Sequence, residues 1–175
     1  IFAQVKSGLL VIDQQNAFER IFYEKYLREL NNQVGISQTL LFPKTVTLSP
    51  IDYEISIEII DMIRGIGFNV EEFGQNTYII NGVPTQFMDE DEGESFKKII
   101  ENFRINENNG NKKETLAKTL AKRLATKSAK VMVNAEISAL INQLFETAMP
   151  AISPDGKATL NIIPLENLAE LLLKA

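Results

Sequence analysis

A short apolar run, Leu9-Leu10-Val11-Ile12, stops at Asp13 and gives way at once to a helical pattern. No other stretch constrains the fold as strongly. It sets a strand end beside a helix start, so that Asp13 and Glu19, the latter expected in the first helical turn, can face one point in space. Upstream, Ile1 to Val5 reads as a second strand, and Lys6-Ser7-Gly8 has turn chemistry, so a hairpin is expected. The helix should run from about Asn16 to Leu30. Ala17, Ile21, Phe22, Leu27 and Leu30 form its buried side, and Arg20, Glu24 and Arg28 recur every four residues along another face. Asn31, Asn32 and Gly35 end it.

Gln38 to Phe42 and Thr45 to Leu48 read as two extended segments interrupted at Pro43. Ser49-Pro50 then starts a helix, with Ser as N-cap, Pro in the first helical position and Asp52 in the favourable first turn. It should reach Arg64, with Gly65 as C-cap. Phe68 to Phe73 and Thr77 to Asn81 look like paired strands around Gly74-Gln75-Asn76, and Gly82 and Pro84 break the pattern. Phe96 to Phe103 is helical by periodicity, and residues 106–111 are a polar, Asn-rich linker. A basic helix from about Lys113 aligns Leu116, Leu120 and Leu124, with Ala117, Ala121 and Ala125 beside them. Asn134 should cap a helix to about Thr147. Pro150 to Gly156 is a loop, Ala158 to Ile163 a strand, and Leu165 to Lys174 a closing helix. This order is α+β rather than a regular βαβ alternation.

The side-chain inventory limits the chemistry. The chain has no Cys and no His. That excludes a disulfide, a thiolate nucleophile, a His general base and a zinc site of sulfur and imidazole. A divalent cation would depend on carboxylates, carbonyls and water. With 45% hydrophobic residues in 175, the chain can fill one domain or two small lobes. No apolar run reaches the roughly 20 residues a bilayer requires, and no secretion signal is visible. Opening on Ile1 inside a strand, without Met, the chain reads as a fragment of something longer. The net charge of −5 makes it a poor generic ligand for DNA. The charge is uneven, however. Lys112, Lys113, Lys118, Lys122, Arg123, Lys127 and Lys130 face a single Glu114 in their stretch. A phosphate-binding face and a solvated face both fit this pattern, and the overall acidity favours the second. Near the other end, Ile137, Leu140, Ile141, Leu144 and Phe145 share one helix side, and a Leu-rich tail follows. Core and self-complementary interface both fit that composition.

The stretch Asp13-Gln14-Gln15-Asn16-Ala17-Phe18-Glu19, continued to Glu24, resembles the D-Q-H-A-x-x-E-x-x-x-x-E signature of the MutL family of DNA mismatch-repair proteins, in the C-terminal domain. Asp13, Gln14, Glu19 and Glu24 match, whereas the motif's His is Gln15 and its Ala is Asn16. In nuclease-active relatives the metal site also uses a Cys in an A-C-R/K-like motif and the Cys and His of C-P-H-G-R-P. Here Ala121-Lys122-Arg123 falls on the former and Ser153-Pro154-Asp155-Gly156-Lys157-Ala158 on the latter. The resemblance thus implies a degenerate nuclease site at Asp13, Gln15, Glu19, Lys122, Ser153 and Asp155. It implies no catalytic residue, no metal and no cofactor of its own. An oxygen-only set of Asp13, Glu19 and Asp155 is the rival reading, and a salt bridge from Lys122 to one of the carboxylates is the preferred one.

Gln38-Thr39-Leu40-Leu41-Phe42-Pro43 resembles the family's Q-x-x-L/I-x-P sliding-clamp element, which implies partner contacts from Gln38, Leu41, Phe42 and Pro43. An ordinary buried strand is the alternative. The Phe73-Gly74-x-Asn76-x-Tyr78 hairpin and the Ser153-Pro154-x-Gly156 loop extend the likeness over nearly the whole chain. It implies a two-lobed α+β fold. Residues 1–32 and 120–175 would form a dimerisation lobe with Leu168, Leu171 and Leu172 at its interface, and 33–119 an inserted outer, regulatory lobe. It further implies a homodimer in the bacterial cytoplasm, associated with the nucleoid. Its partners would be the sliding clamp and other repair proteins, with weak DNA contact at most and no membrane.

Overall fold

The computed structural model describes residues 1–88, 91–106, 110–128 and 130–173, with only the backbone described at 169 and 171–173. The elements in chain order are β1 (Phe2–Val5), β2 (Gly8–Ile12), α1 (Gln14–Asn32), β3 (Gln38–Thr47), α2 (Pro50–Gly65), β4 (Asn69–Glu72), β5 (Thr77–Val83), α3 (Glu92–Asn106), α4 (Lys112–Ser128), α5 (Asn134–Phe145), β6 (Leu160–Pro164) and α6 (Leu165–Leu173). This is a mixed α+β chain. Among the described residues no helix is long and apolar enough to cross a membrane. Two compact units divide it, one of residues 1–24 and 121–175, the other of 25–120.

The first unit is built on an antiparallel sheet ordered β1-β2-β6. Partners across an antiparallel ladder point to the same face. Ala3, Leu10 and Ile162 therefore stand on one side, as do Ile12 and Leu160, while Phe2, Val11 and Asn161, with Gln4, Leu9 and Ile163, stand on the other. The first side holds the core: Leu10 and Ile12 pack with Ala17 of α1 and Leu140 and Leu144 of α5. Gly8 closes the hairpin at φ +153°, and a Cβ there would lie 2.0 Å from the Ile163 carbonyl oxygen, so the β2–β6 approach depends on glycine.

The second unit holds the sheet β3-β5-β4, with α3 packed on α2 and β3. Its core is aromatic. Phe68 meets Phe87 at 5.2 Å and Phe96 at 6.1 Å between ring centroids, and Tyr78 meets Phe96 edge-on at 5.5 Å. Each such ring contributes about 2–3 kcal/mol by burial. The Tyr78 hydroxyl pairs with Ser56 Oγ at 3.0 Å, so the ring is buried without stranding its polar end.

Several expectations need correcting. β3 is one strand rather than two: Pro43 sits within a register irregularity between Thr39 and Lys44, where its missing N–H costs no ladder bond. Gly82 does not break β5 but lies inside it. α1 begins at Gln14, which moves Glu19 from the first helical turn to the second. The α2 C-cap is Ile66, not Gly65, and Gly67 at φ +102° takes the left-handed position beyond it. Val133, not Asn134, precedes α5, and the Glu136 carboxylate accepts its N–H at 2.9 Å. The closing strand begins at Leu160, because Ala158 is held in an isolated bridge to Ile152.

Candidate functional site

At the β2–α1 junction, Asp13 is committed to the helix start. Its Oδ1 accepts the Asn16 N–H at 2.8 Å, satisfying a donor the first turn leaves open. Gln14 reaches the other way, and its Nε2 donates to the carbonyls of Ser128 at 3.2 Å and Lys130 at 2.8 Å. Asn16 Nδ2 donates to the Ala158 carbonyl at 3.0 Å. Gln15 lies with Asp13, Gln14, Lys130 and Val131 around a shallow depression.

Glu19 lies one turn further on and is only 5% exposed. Burial is the main cause that raises its carboxyl pKa above the ordinary range, and Asp155 adds to the rise; Lys122, Lys157 and Arg20 oppose it. Lys122 Nζ stands 3.6 Å from Asp155 Oδ2, so the preferred salt bridge is present. Ser153 is buried in a tight turn. Its N–H donates to the Lys157 carbonyl at 2.7 Å, and its Oγ accepts the Lys157 N–H at 3.2 Å. That turn carries Asp155 and Lys157, whose charges bear on Glu19.

Arg20 and Glu24 hold the preceding loop. Arg20 Nε donates to the Ile152 carbonyl at 2.6 Å, Nη1 lies 3.5 Å from Glu24, and the guanidinium sits over the Tyr23 ring. Both Glu24 oxygens accept the Ala148 N–H, at 3.1 and 2.9 Å. Arg20 drew attention in the sequence only as one of a series of spaced charges, and Lys157 only as a matched motif position. Nothing local signalled that Lys157 approaches Glu19.

This arrangement does not suit a divalent metal. Among the described residues no group of three or more His, Cys, Asp or Glu side chains gathers. The oxygen-only set of Asp13, Glu19 and Asp155 is therefore not assembled. Asp13 is turned to its own helix, while Glu19 and Asp155 share their surroundings with two ammonium groups.

The other candidate residues lie elsewhere. In the second unit, Thr39 pairs with Gly82 and Lys44 with Ile80, so residues 40–43 bulge out opposite Asn81 alone. Leu40 turns inward, whereas Leu41 is 86% and Phe42 74% exposed, with Gln38 and Pro43 also exposed. The alternative of an ordinary buried strand fails at these side chains. Part of the basic stretch is engaged: Lys112 and Lys122 are neutralised by Glu58 and Asp155, and Lys113 Nζ donates to the neutral Asn31 Oδ1 at 3.4 Å. At the chain end Leu168 is half-buried, and the side chains of Leu171 and Leu172 lie outside the described residues.

The family model described as the MutL C terminal dimerisation domain matches residues 1–132. A DNA mismatch repair protein MutL from Prosthecochloris aestuarii is 36% identical over 170 residues, covering 96% of this chain and 27% of its own length. One of the same name from Phocaeicola vulgatus is 37% identical over 177 residues, covering 98% of this chain and 28% of its own length. The chain spans about a quarter of the length of these curated relatives. On these grounds it belongs to the MutL C-terminal dimerisation domain family.

Proposed function

We propose that this domain joins two copies of its protein in DNA mismatch repair and does not itself cut DNA. The observation that carries the reading is the outer face of the first unit's sheet. Phe2, Leu9, Val11 and Ile163 stand on the side opposite the core, and none of them is buried. α6 packs beside β2 and β6, which brings Leu168 to the same sheet. Leu171 and Leu172 extend this interface in our reading. An apolar surface of this kind suits a two-fold contact in which each copy offers the same patch. Light scattering at micromolar protein tests it. The expected mass is twice the chain's 19.7 kDa, and Val11→Glu should halve it. A monomeric parent chain would sink the reading.

The Gln38–Pro43 bulge supports a second part of the proposal, recruitment of the sliding clamp. Exposed Leu41 and Phe42 are suited to insertion into a partner's pocket, while the flanking pairs of β3 stay anchored to β5. Unchanged clamp affinity in the Gln38→Ala, Leu41→Ala double variant would refute this. The nuclease alternative predicts manganese-dependent nicking of supercoiled plasmid that Glu19→Ala abolishes; the expected result is no nicking. The basic-helix alternative is weakened by the partners already held by Lys112, Lys113 and Lys122. The site of action we infer is the bacterial cytoplasm, on DNA through repair partners, with no cofactor bound by this domain.

A further inference from the structure

We propose that Lys122, paired with Asp155, is the resident cation of the degenerate site, tying α4 to the 153–157 turn in place of a metal ion and, with Lys157, keeping divalent cations out. Lys122 Nζ on α4 stands 3.6 Å from Asp155 Oδ2 in the turn, and the charges of Asp155, Lys122 and Lys157 all bear on Glu19 of α1. Lys122 and Asp155 are paired directly, and Lys157 adds a second ammonium near the Glu19 carboxyl. Arg20, the third cation near Glu19, is engaged by the Ile152 carbonyl and by Glu24. A divalent ion at Glu19 and Asp155 would be repelled by both ammoniums. Such a tie also needs no soft ligand, consistent with a chain that has no His and no Cys. The inference stands apart from dimerisation and would survive its failure.

Removing the ammoniums should leave a cation site here. The experiment compares the parent chain, Lys122→Arg, and the Lys122→Met, Lys157→Met double variant. Free Mn²⁺ is counted by electron paramagnetic resonance, and thermal unfolding is followed with and without Mn²⁺. The parent and Lys122→Arg should show no saturable uptake and no Mn²⁺-dependent rise in Tm. The double variant should take up one Mn²⁺, bind it at least about tenfold more tightly than the parent, and gain Tm from it. Adding Glu19→Gln should abolish that gain. Saturable binding by the parent, or a folded double variant that takes up no Mn²⁺, would overturn the proposal. If the double variant does not fold, the parent and Asp155→Asn decide. A parent Tm that falls with salt and a variant Tm that does not would uphold the charge tie. Identical salt responses, or parent Mn²⁺ uptake lost in Asp155→Asn, would refute it.

Discussion

Asp52 and Glu19 are equally buried, each 5% exposed, yet the two units accommodate them differently. Asp52 has defined partners: Ser49 Oγ donates to it at 2.6 Å, and Arg104 Nε donates from α3 at 2.9 Å. The Asp52 N–H donates back to Ser49 Oγ at 3.1 Å, a reciprocal cap at the start of α2. Glu19 instead lies among Asp155, Lys122, Lys157 and Arg20, with burial as the dominant influence. A carboxylate with short, directed bonds anchors its unit, whereas one balanced by surrounding charge is a tolerated burden. The difference follows from their places: Asp52 serves a helix start, whereas Glu19 lies buried on α1 under the influence of charges from α4 and the 153–157 turn.

The largest expected effect tests the first half of this comparison. Asp52→Ala should cost about 2 kcal/mol in denaturant unfolding, since it strips the α2 cap and leaves Arg104 without its carboxylate. The figure stays below that of a fully buried pair because Arg104 is 42% exposed in its side chain. A cost no larger than that of an ordinary surface change would remove the contrast. Next comes Glu24→Ala, expected to cost about 1–2 kcal/mol by releasing the Ala148 N–H and the Arg20 pair. Equal protection of the 148–153 amides from hydrogen exchange in parent and variant would contradict this.

Glu19→Gln tests the other half, and its sign is opposite. Because the folded-state pKa of Glu19 is raised, protonation favours the folded chain. That stabilising contribution is complete below the unfolded value of 4.5 and is lost as pH rises through the folded value. At neutral pH the parent therefore bears the cost of a buried charge, and Glu19→Gln should raise the unfolding midpoint slightly. The gap between the two should close as pH falls toward 4.5. A variant less stable than the parent at pH 7, or a gap that widens on acidification, would place Glu19 with Asp52 as an anchoring group.

Local chemistry was legible in the sequence, and distant partnership was not. Ser49-Pro50 announced α2, and the Gly74-Asn76 turn announced the β4–β5 hairpin, because a cap or a turn is decided within a few residues. The Lys122–Asp155 salt bridge was anticipated only through matched motifs, since no local rule joins residues that far apart. The pairing of β2 with β6 and the approach of Lys157 to Glu19 were invisible for the same reason. The rival reading could place Asp13 in an oxygen-only metal set because a carboxylate before a helix fits a metal ligand and an N-cap equally well, and only geometry separates them. Pro43 suggested a break between two strands, whereas a bulge lets one strand carry it.

The smallest expected stability effect is also the most informative about display. Leu41→Ala with Phe42→Ala removes two large apolar side chains, which in a core would cost several kcal/mol. Both are mostly exposed on the β3 bulge, so little transfer energy is lost and no cavity forms. The double variant should unfold within about 0.5 kcal/mol of the parent. Such exposed apolar groups are not required by the fold, and clamp affinity is where the proposed reading expects the loss. A cost above about 2 kcal/mol would show that these side chains pack in solution. The bulge would then be structural, like Asp52, and the case for a recruiting surface would fail with it.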